Sequence, residues 1–254
     1  MRSNVKGNFM SDQTPVIELQ DLQVKRGIQK LEIYSMKIYP GVCYQIFGQN
    51  GSGKSLLLDV LAHRQSLDSG TLFFQNKSGS KKEYSPSVAK KRIAYFRQKP
   101  EGWIRGTVLS YLEKTLKERK ISSGIAYQQA MSQLDEFDLK DYANIKRKDL
   151  SPGVFQKVEL VRCLLESSDI LIFDEPYALP DEAFIKNFNN RLRSMIRNEK
   201  KAVILASSQS LSRFRLVDIV INLSHGRIVR VEKTRRPPRT DNRNRNRPKP
   251  VNKN

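Results

Sequence analysis

Residues Gly48-Gln49-Asn50-Gly51-Ser52-Gly53-Lys54-Ser55 match the phosphate-binding pattern G-x-x-x-x-G-K-[ST] at every fixed position. An apolar run, Val42-Cys43-Tyr44-Gln45-Ile46-Phe47, precedes them, and Leu56-Leu57-Leu58-Asp59-Val60-Leu61 follows. This order predicts strand, loop and helix. Glycines let the backbone turn with its N–H groups inward, towards a phosphate. The helix adds the positive end of its dipole. In that arrangement Gly48, Gln49, Asn50, Gly51, Ser52 and Gly53 form a cradle, Lys54 reaches the β- and γ-phosphates, and Ser55 ligates Mg²⁺. A plain glycine turn is the competing reading, and the complete match in the right context disfavours it.

A second signal lies 120 residues after Lys54. Ile170-Leu171-Ile172-Phe173-Asp174-Glu175-Pro176 reads as a buried strand ending in two carboxylates. Asp174 suits Mg²⁺ or its water shell. Glu175 suits polarisation of an attacking water. Two surface acids after a strand would be the default, but the phosphate loop tips the balance.

The rest of the chain alternates strand and helix patterns. Residues 16–24 alternate apolar and polar with a change of phase at Gln20-Asp21, which predicts a bulge or a break between two short strands. Residues 31–38, 71–74, 92–96, 202–206 and 219–223 paired with 226–231 also read as strands. Thr107 is placed to cap a helix carrying Val108, Leu109, Leu112 and Leu116 on one face. Further helices are expected over 125–137, 155–166 and 184–199. Residues 76–87 and Ser151-Pro152-Gly153 read as loops. The sum is an α/β fold with a P-loop NTPase core. Its sheet is mostly parallel, with an antiparallel N-terminal β section and a helical lobe inserted between the phosphate loop and the acidic strand end, at about residues 100–152.

Composition narrows the partners. The 254 residues carry a net charge of +20, and residues 233–254 hold nine Lys or Arg against one Asp. Such a tail suits anionic lipid or nucleic acid, and equally a solvated extension; it has no aromatics for base stacking. Residues 1–14 read as a disordered leader and 232–254 as a disordered basic tail, leaving a domain over 15–231. Cys43 and Cys163 sit in apolar runs and read as small buried hydrophobes. No run is long enough to span a bilayer, and no signal-type segment is evident. These features suggest a cytoplasmic protein.

Taken in order, these segments resemble the ATP-binding cassette family over nearly all of residues 16–231. The phosphate loop comes first, then Gln98 in Tyr95-Phe96-Arg97-Gln98, then the helical lobe. Leu150-Ser151-Pro152-Gly153-Val154 and Asp174-Glu175-Pro176 follow, with Asp181 in the position of the family's D-loop aspartate. The resemblance implies ATP and Mg²⁺ as ligands, with Ser55, Gln98 and Asp174 around the metal. It implies a second cassette as partner, homo- or heterodimeric, whose γ-phosphate is covered by Ser151 and the N–H of Gly153. It also implies an integral membrane transporter subunit held at the helical lobe and Gln98 region, with the chain peripheral on the inner face of the cell membrane. Trp103-Ile104-Arg105-Gly106-Thr107-Val108 resembles the coupling region of exporter cassettes, more weakly.

Three departures stand out. The signature is LSPGV where LSGGQ is usual, so Pro152 lacks an N–H and Val154 lacks the amide of Gln. The switch histidine is replaced by Ser208, which cannot carry a proton as imidazole does. Arg26 stands where an aromatic stacks on adenine; a guanidinium can stack there too. The function this implies is MgATP binding and hydrolysis at a dimer interface, slow or partner-dependent, driving transport by a separate membrane subunit. The alternatives are a non-transport cassette acting on nucleic acid or ribosomes, and a catalytically weak regulatory cassette.

Overall fold

The structure, a computed structural model, describes residues 13–75, 85–98 and 105–234, with the backbone of 81–83. The leader to residue 12, the tail from 235, and Trp103 and Ile104 lie outside the described residues.

Alternation along the first strand builds an antiparallel sheet. β1 (Ile17–Arg26) pairs with β2 (Gln29–Ile38) throughout its length. After β3 (Cys43–Phe47), β4 (Ser69–Gln75) pairs with the other edge of β1, and β5 (Lys81–Glu83) completes the order β2-β1-β4-β5. The change of phase at Gln20-Asp21 is a bulge: the β1–β4 register shifts between Gln20 and Gln23, and Asp21 has φ +49°. The strand continues through it, because the pairing with β2 is unshifted.

β3 lies near the centre of the second sheet. With β6 (Ile93–Phe96), β7 (Ile170–Asp174), β8 (Ala202–Ser207), β9 (Ile219–Ser224) and β10 (Arg227–Lys233), the order is β10-β9-β3-β8-β7-β6. All pairings but that of β10 are parallel. Both faces are buried. Tyr44, Ile46, Tyr95, Ile170, Ile172 and Ile204 join the core shared with the antiparallel sheet and α1 (Lys54–Leu61). Cys43, Phe96, Leu171, Phe173, Val203 and Leu205 point the other way, to the helices. Strands covered on both sides read as unbroken apolar runs, as these do.

The helical side contains α3 (Val108–Glu118), α4 (Ser123–Glu136), α5 (Pro152–Leu165) and α6 (Glu182–Arg197). Three of them have local side-chain caps. Thr107 accepts from Ser110 N at 3.3 Å, Ser151 from Val154 N at 3.3 Å, and Asp181 from Phe184 N at 2.9 Å.

Three expectations need correction. The segment 76–87 is not loop throughout: β5 falls in it, and Ser85 caps a short helix, α2 (Pro86–Arg92), that starts with proline. Ser151-Pro152-Gly153 is a helix start, not a loop; Ser151 is the cap and Pro152 opens α5. Strand β10 runs to Lys233, so residues 232 and 233 belong to the sheet and not to the tail.

Candidate functional site

Register brings the signals together. Phe47 pairs with Ser207 and Asp174 with Ala206, so the chain leaving β3, β7 and β8 emerges side by side at one sheet edge. Ligands in open α/β sheets bind at this carboxyl edge. A cavity of about 540 Å³ opens there, lined by Asn50, Gly51, Gly53, Lys54, Ser55, Gln98, Asp174, Glu175 and Ser208 among others.

The loop from Gly48 to Gly53 is shaped by contacts that side chains would block. A Cβ on Gly48 would strike the Leu223 carbonyl and lie 2.6 Å from Ser52 Oγ. Gly51 and Gly53 have φ of +81° and +102°, where glycine is at ease. The Ser52 N–H donates to the Gln49 carbonyl at 3.1 Å, and the Gly226 N–H donates to the Ser52 carbonyl at 2.9 Å. Ser52 Oγ is buried with no hydrogen-bond partner among the described residues.

Lys54 is only 6% exposed. Its Nζ donates to the carbonyls of Gly48 (2.8 Å) and Gln49 (3.2 Å) and lies 3.7 Å from Glu175 Oε1. A buried ammonium held by two carbonyls is positioned for an anion beside it. Asp174 is buried at the end of β7. Burial pushes its carboxyl above the ordinary range and Glu175 adds to the shift, while a hydrogen bond from Ser55 and the charge of Lys54 oppose it. Glu175 sits at φ +50°, its N–H donating to the Ala206 carbonyl at 3.0 Å. Its Oε1 accepts from the Ser208 N–H at 2.8 Å. So Ser208 meets Glu175 through its backbone, a contact the side-chain reading did not foresee.

The donor set fits a magnesium site. Ser55 supplies a hydroxyl and Asp174 a carboxylate at the mouth of the cradle. Mg²⁺ keeps several waters and takes substrate phosphates, so two protein ligands suffice. No group of three or more His, Cys, Asp or Glu among the described residues suggests a metal held by protein alone.

Three expected residues lie elsewhere. The Arg26 guanidinium is 2.6 Å from Asp59 Oδ2, paired to a buried carboxylate and absent from the cavity lining. Asp59 also accepts from the Tyr95 hydroxyl (3.1 Å) and Arg97 (3.4 Å). The hairpin reaches the cavity through Gln29 instead. Ser151 and Gly153 lie outside the cavity, at the start of α5. There Val154 N bonds the Ser151 side chain, Phe155 N bonds the Ser151 carbonyl, and Pro152 has no N–H. Among the described residues, Gly153 keeps the one first-turn amide without an intrahelical partner.

Two buried polar residues outside the cavity lining went unread. Asp59 is an acid inside an apolar helical run. Gln45 is a polar residue inside an apolar strand; it is 1% exposed and hydrogen-bonds the chain after β8. A buried polar side chain must find partners, and that was the available signal.

A second, larger cleft lies between the chain just after α1, α2, β6, α3 and α5. Among its lining residues, Glu159 and Glu166 are tied to Arg162, and Glu166 also to Arg119. Lys90, Lys91, Arg105 and Lys114 line it with no carboxylate partner among the described residues.

Known proteins resemble this chain at both levels. The sequence profile of the family described as "ABC transporter" matches residues 31–178. The glycine betaine transport ATP-binding protein OpuAA of Bacillus subtilis (strain 168) is 25% identical over 197 residues, 77% of this chain and 47% of that protein. The sulfate/thiosulfate import ATP-binding protein CysA of Mesostigma viride is 25% identical over 218 residues, 85% of this chain and 62% of that one. The chain spans about half the length of these curated relatives. The solved structure "Structure of ATP binding subunit of ABC transporter" superposes with a TM-score of 0.76 at 21% identity, covering 86% of this chain and 90% of that one. A dimeric post-hydrolysis structure of the ATP-binding cassette MJ0796 bound to ADP and Pi gives 0.74 at 21% identity, covering 86% and 99%.

Proposed function

Since the chain belongs to the ABC transporter family, we propose that it is the ATP-binding subunit of a transporter and hydrolyses MgATP at an interface with a second cassette. The observation that carries this reading is the meeting of Lys54, Asp174 and Glu175 in one cavity at the carboxyl edge of the parallel sheet. Lys54 and the loop amides bind the phosphates, and Ser55 and Asp174 hold the metal with Gln98 nearby. Mg²⁺, when bound, neutralises charge on the β- and γ-phosphate oxygens. Glu175 polarises the attacking water; Ser208 N–H holds its Oε1 and leaves Oε2 for that task. Ser151 and Gly153 of each cassette cover the γ-phosphate of the other, which agrees with their place outside their own cavity. Arg26, paired to Asp59, supports the fold near the hairpin in place of stacking on the base.

We read residues 15–233 as one ATPase domain with a helical insertion near 100–152. The membrane subunit docks in the cleft lined by Lys90, Lys91, Arg105 and Lys114, whose charges favour an acidic segment. In this reading the chain sits on the cytoplasmic face of a membrane; no described helix is long and apolar enough to cross one. An anionic partner for the tail, lipid or nucleic acid, has its support in composition alone.

The catalytically weak cassette has two specific observations in its favour: among the described residues Pro152 leaves a single first-turn amide of α5 without an intrahelical partner, and Ser208 offers Glu175 a backbone contact where an imidazole is usual. Steady-state phosphate release separates the two. The expected result is slow release by the chain alone, faster with its partner subunit, and none with Glu175→Gln. Release that survives Glu175→Gln, or none in any company, would overturn the ATPase assignment.

A further inference from the structure

The chain after β8 carries Ser208, whose N–H meets Glu175, yet residues 208–211 leave the sheet without strand partners. What fixes them is a side chain from the neighbouring strand. Gln45, in the middle of β3, is fully enclosed. Its Nε2 donates to the Gln209 carbonyl at 2.7 Å, and its Oε1 accepts from the Leu211 N–H at 3.2 Å. One carboxamide thus closes a two-point clamp on the segment, using a donor and an acceptor at the spacing of its own amide. The Gln209 N–H adds a bond to Ser207 Oγ at 3.1 Å, tying the same turn back to β8. Leu211 is itself buried at 3% exposure, so the clamped end cannot drift into solvent.

We propose that Gln45 is a positioning residue for hydrolysis, acting through the 208–211 segment on Glu175. This rests on the ATPase reading above. The route is short and fully bonded: the Gln45 carboxamide to Gln209 and Leu211, the backbone to Ser208, and the Ser208 N–H to Glu175 Oε1 at 2.8 Å. Among the described residues the Glu175 carboxylate has two polar holders, Lys54 Nζ at 3.7 Å and this N–H. Lys54 is shared with the bound phosphates, so the N–H is the holder that stays when nucleotide enters. Where the usual histidine is absent, the segment needs a different anchor, and the side chain of Gln45 supplies it. Burial of an amide here is otherwise costly: an apolar residue would suit β3 better unless the two bonds mattered.

The experiment compares wild type with Gln45→Met and Gln45→Asn in the full chain. Met keeps the length and removes both bonds; Asn keeps the amide and removes only its reach. Nucleotide affinity is read by MgATP titration, turnover by phosphate release, and local order by hydrogen exchange at the Ser208 and Leu211 amides. The expected result is a kcat lowered by about tenfold to a hundredfold in both variants. The Kd for MgATP stays within about threefold, because the phosphate loop is untouched. Exchange quickens at Ser208 and Leu211 while the α1 amides keep their protection. Affinity falling in step with kcat, or unchanged exchange at Ser208 in both variants, would overturn the clamp. If Gln45→Met does not fold, the same readings on Gln45→Asn decide it. If wild type releases no phosphate in any company, the ATPase reading fails on its own, and exchange at Ser208 and Leu211 still decides whether Gln45 holds the segment.

Discussion

At Asp174 the fold and the proposed chemistry pull in opposite directions. Burial disfavours its charge, and Ser55 and Lys54 only partly offset this. Its folded pKa lies above the unfolded value near 3.8, so the folded chain holds the proton longer. Stability from this group is therefore present at low pH and is lost as pH rises through the folded pKa. We expect Asp174→Asn to raise the Tm of the nucleotide-free chain at pH 7 and to leave it nearly unchanged at pH 3.5, as thermal melts at the two values would show. For Lys54 the expectation is simpler. Lys54→Ala removes a charge-assisted contact and should weaken MgATP binding by about 2 kcal/mol or more, measured by fluorescent-nucleotide displacement. Glu175→Gln should keep that affinity and stop turnover.

The elements that carry the site were legible because their signals were local. The unbroken apolar runs Val42 to Phe47 and Ile170 to Phe173 marked buried strands, and the glycine spacing marked the loop between β3 and α1. Thr107 was legible as a cap for the same reason, and Thr107→Ala should cost about 1 kcal/mol in denaturant melts without changing nucleotide affinity. Ser151-Pro152-Gly153 misled because proline and glycine suggest a turn, whereas proline at a first helical position gives up an N–H that has no helical partner anyway. Strand β5 was lost in a polar stretch, since an edge strand of three residues leaves no periodicity to read. Arg26 pairs with Asp59, 33 residues away, and Gln45 reaches Gln209 and Leu211 across more than 160. Contacts at that range depend on how strands and helices pack, which a linear pattern does not contain. The close packing of the loop offers one more check: Gly48→Ala would drive a methyl into the Leu223 carbonyl and Ser52 Oγ. We expect it to destabilise the chain by about 1–3 kcal/mol and to reduce nucleotide binding.

For the molecule as a whole, the two cores explain how one sheet serves two neighbours. One face packs on α1 and the antiparallel sheet, the elements on either side of the phosphate loop. The other packs on α3 to α6, so the helices that flank the basic cleft share a core with β6 and β7, the strands leading to Gln98 and Glu175. A partner in the cleft and a nucleotide in the cavity thus press on the same sheet from two places, a route by which each can bias the other. That coupling requires a triphosphate in the cavity. The most direct measurement is a calorimetric titration of the chain with MgATP, wild type beside Lys54→Ala. The account predicts saturable uptake of one nucleotide per chain by wild type and severe loss in the variant. No uptake by wild type, or equal uptake by both, would contradict it.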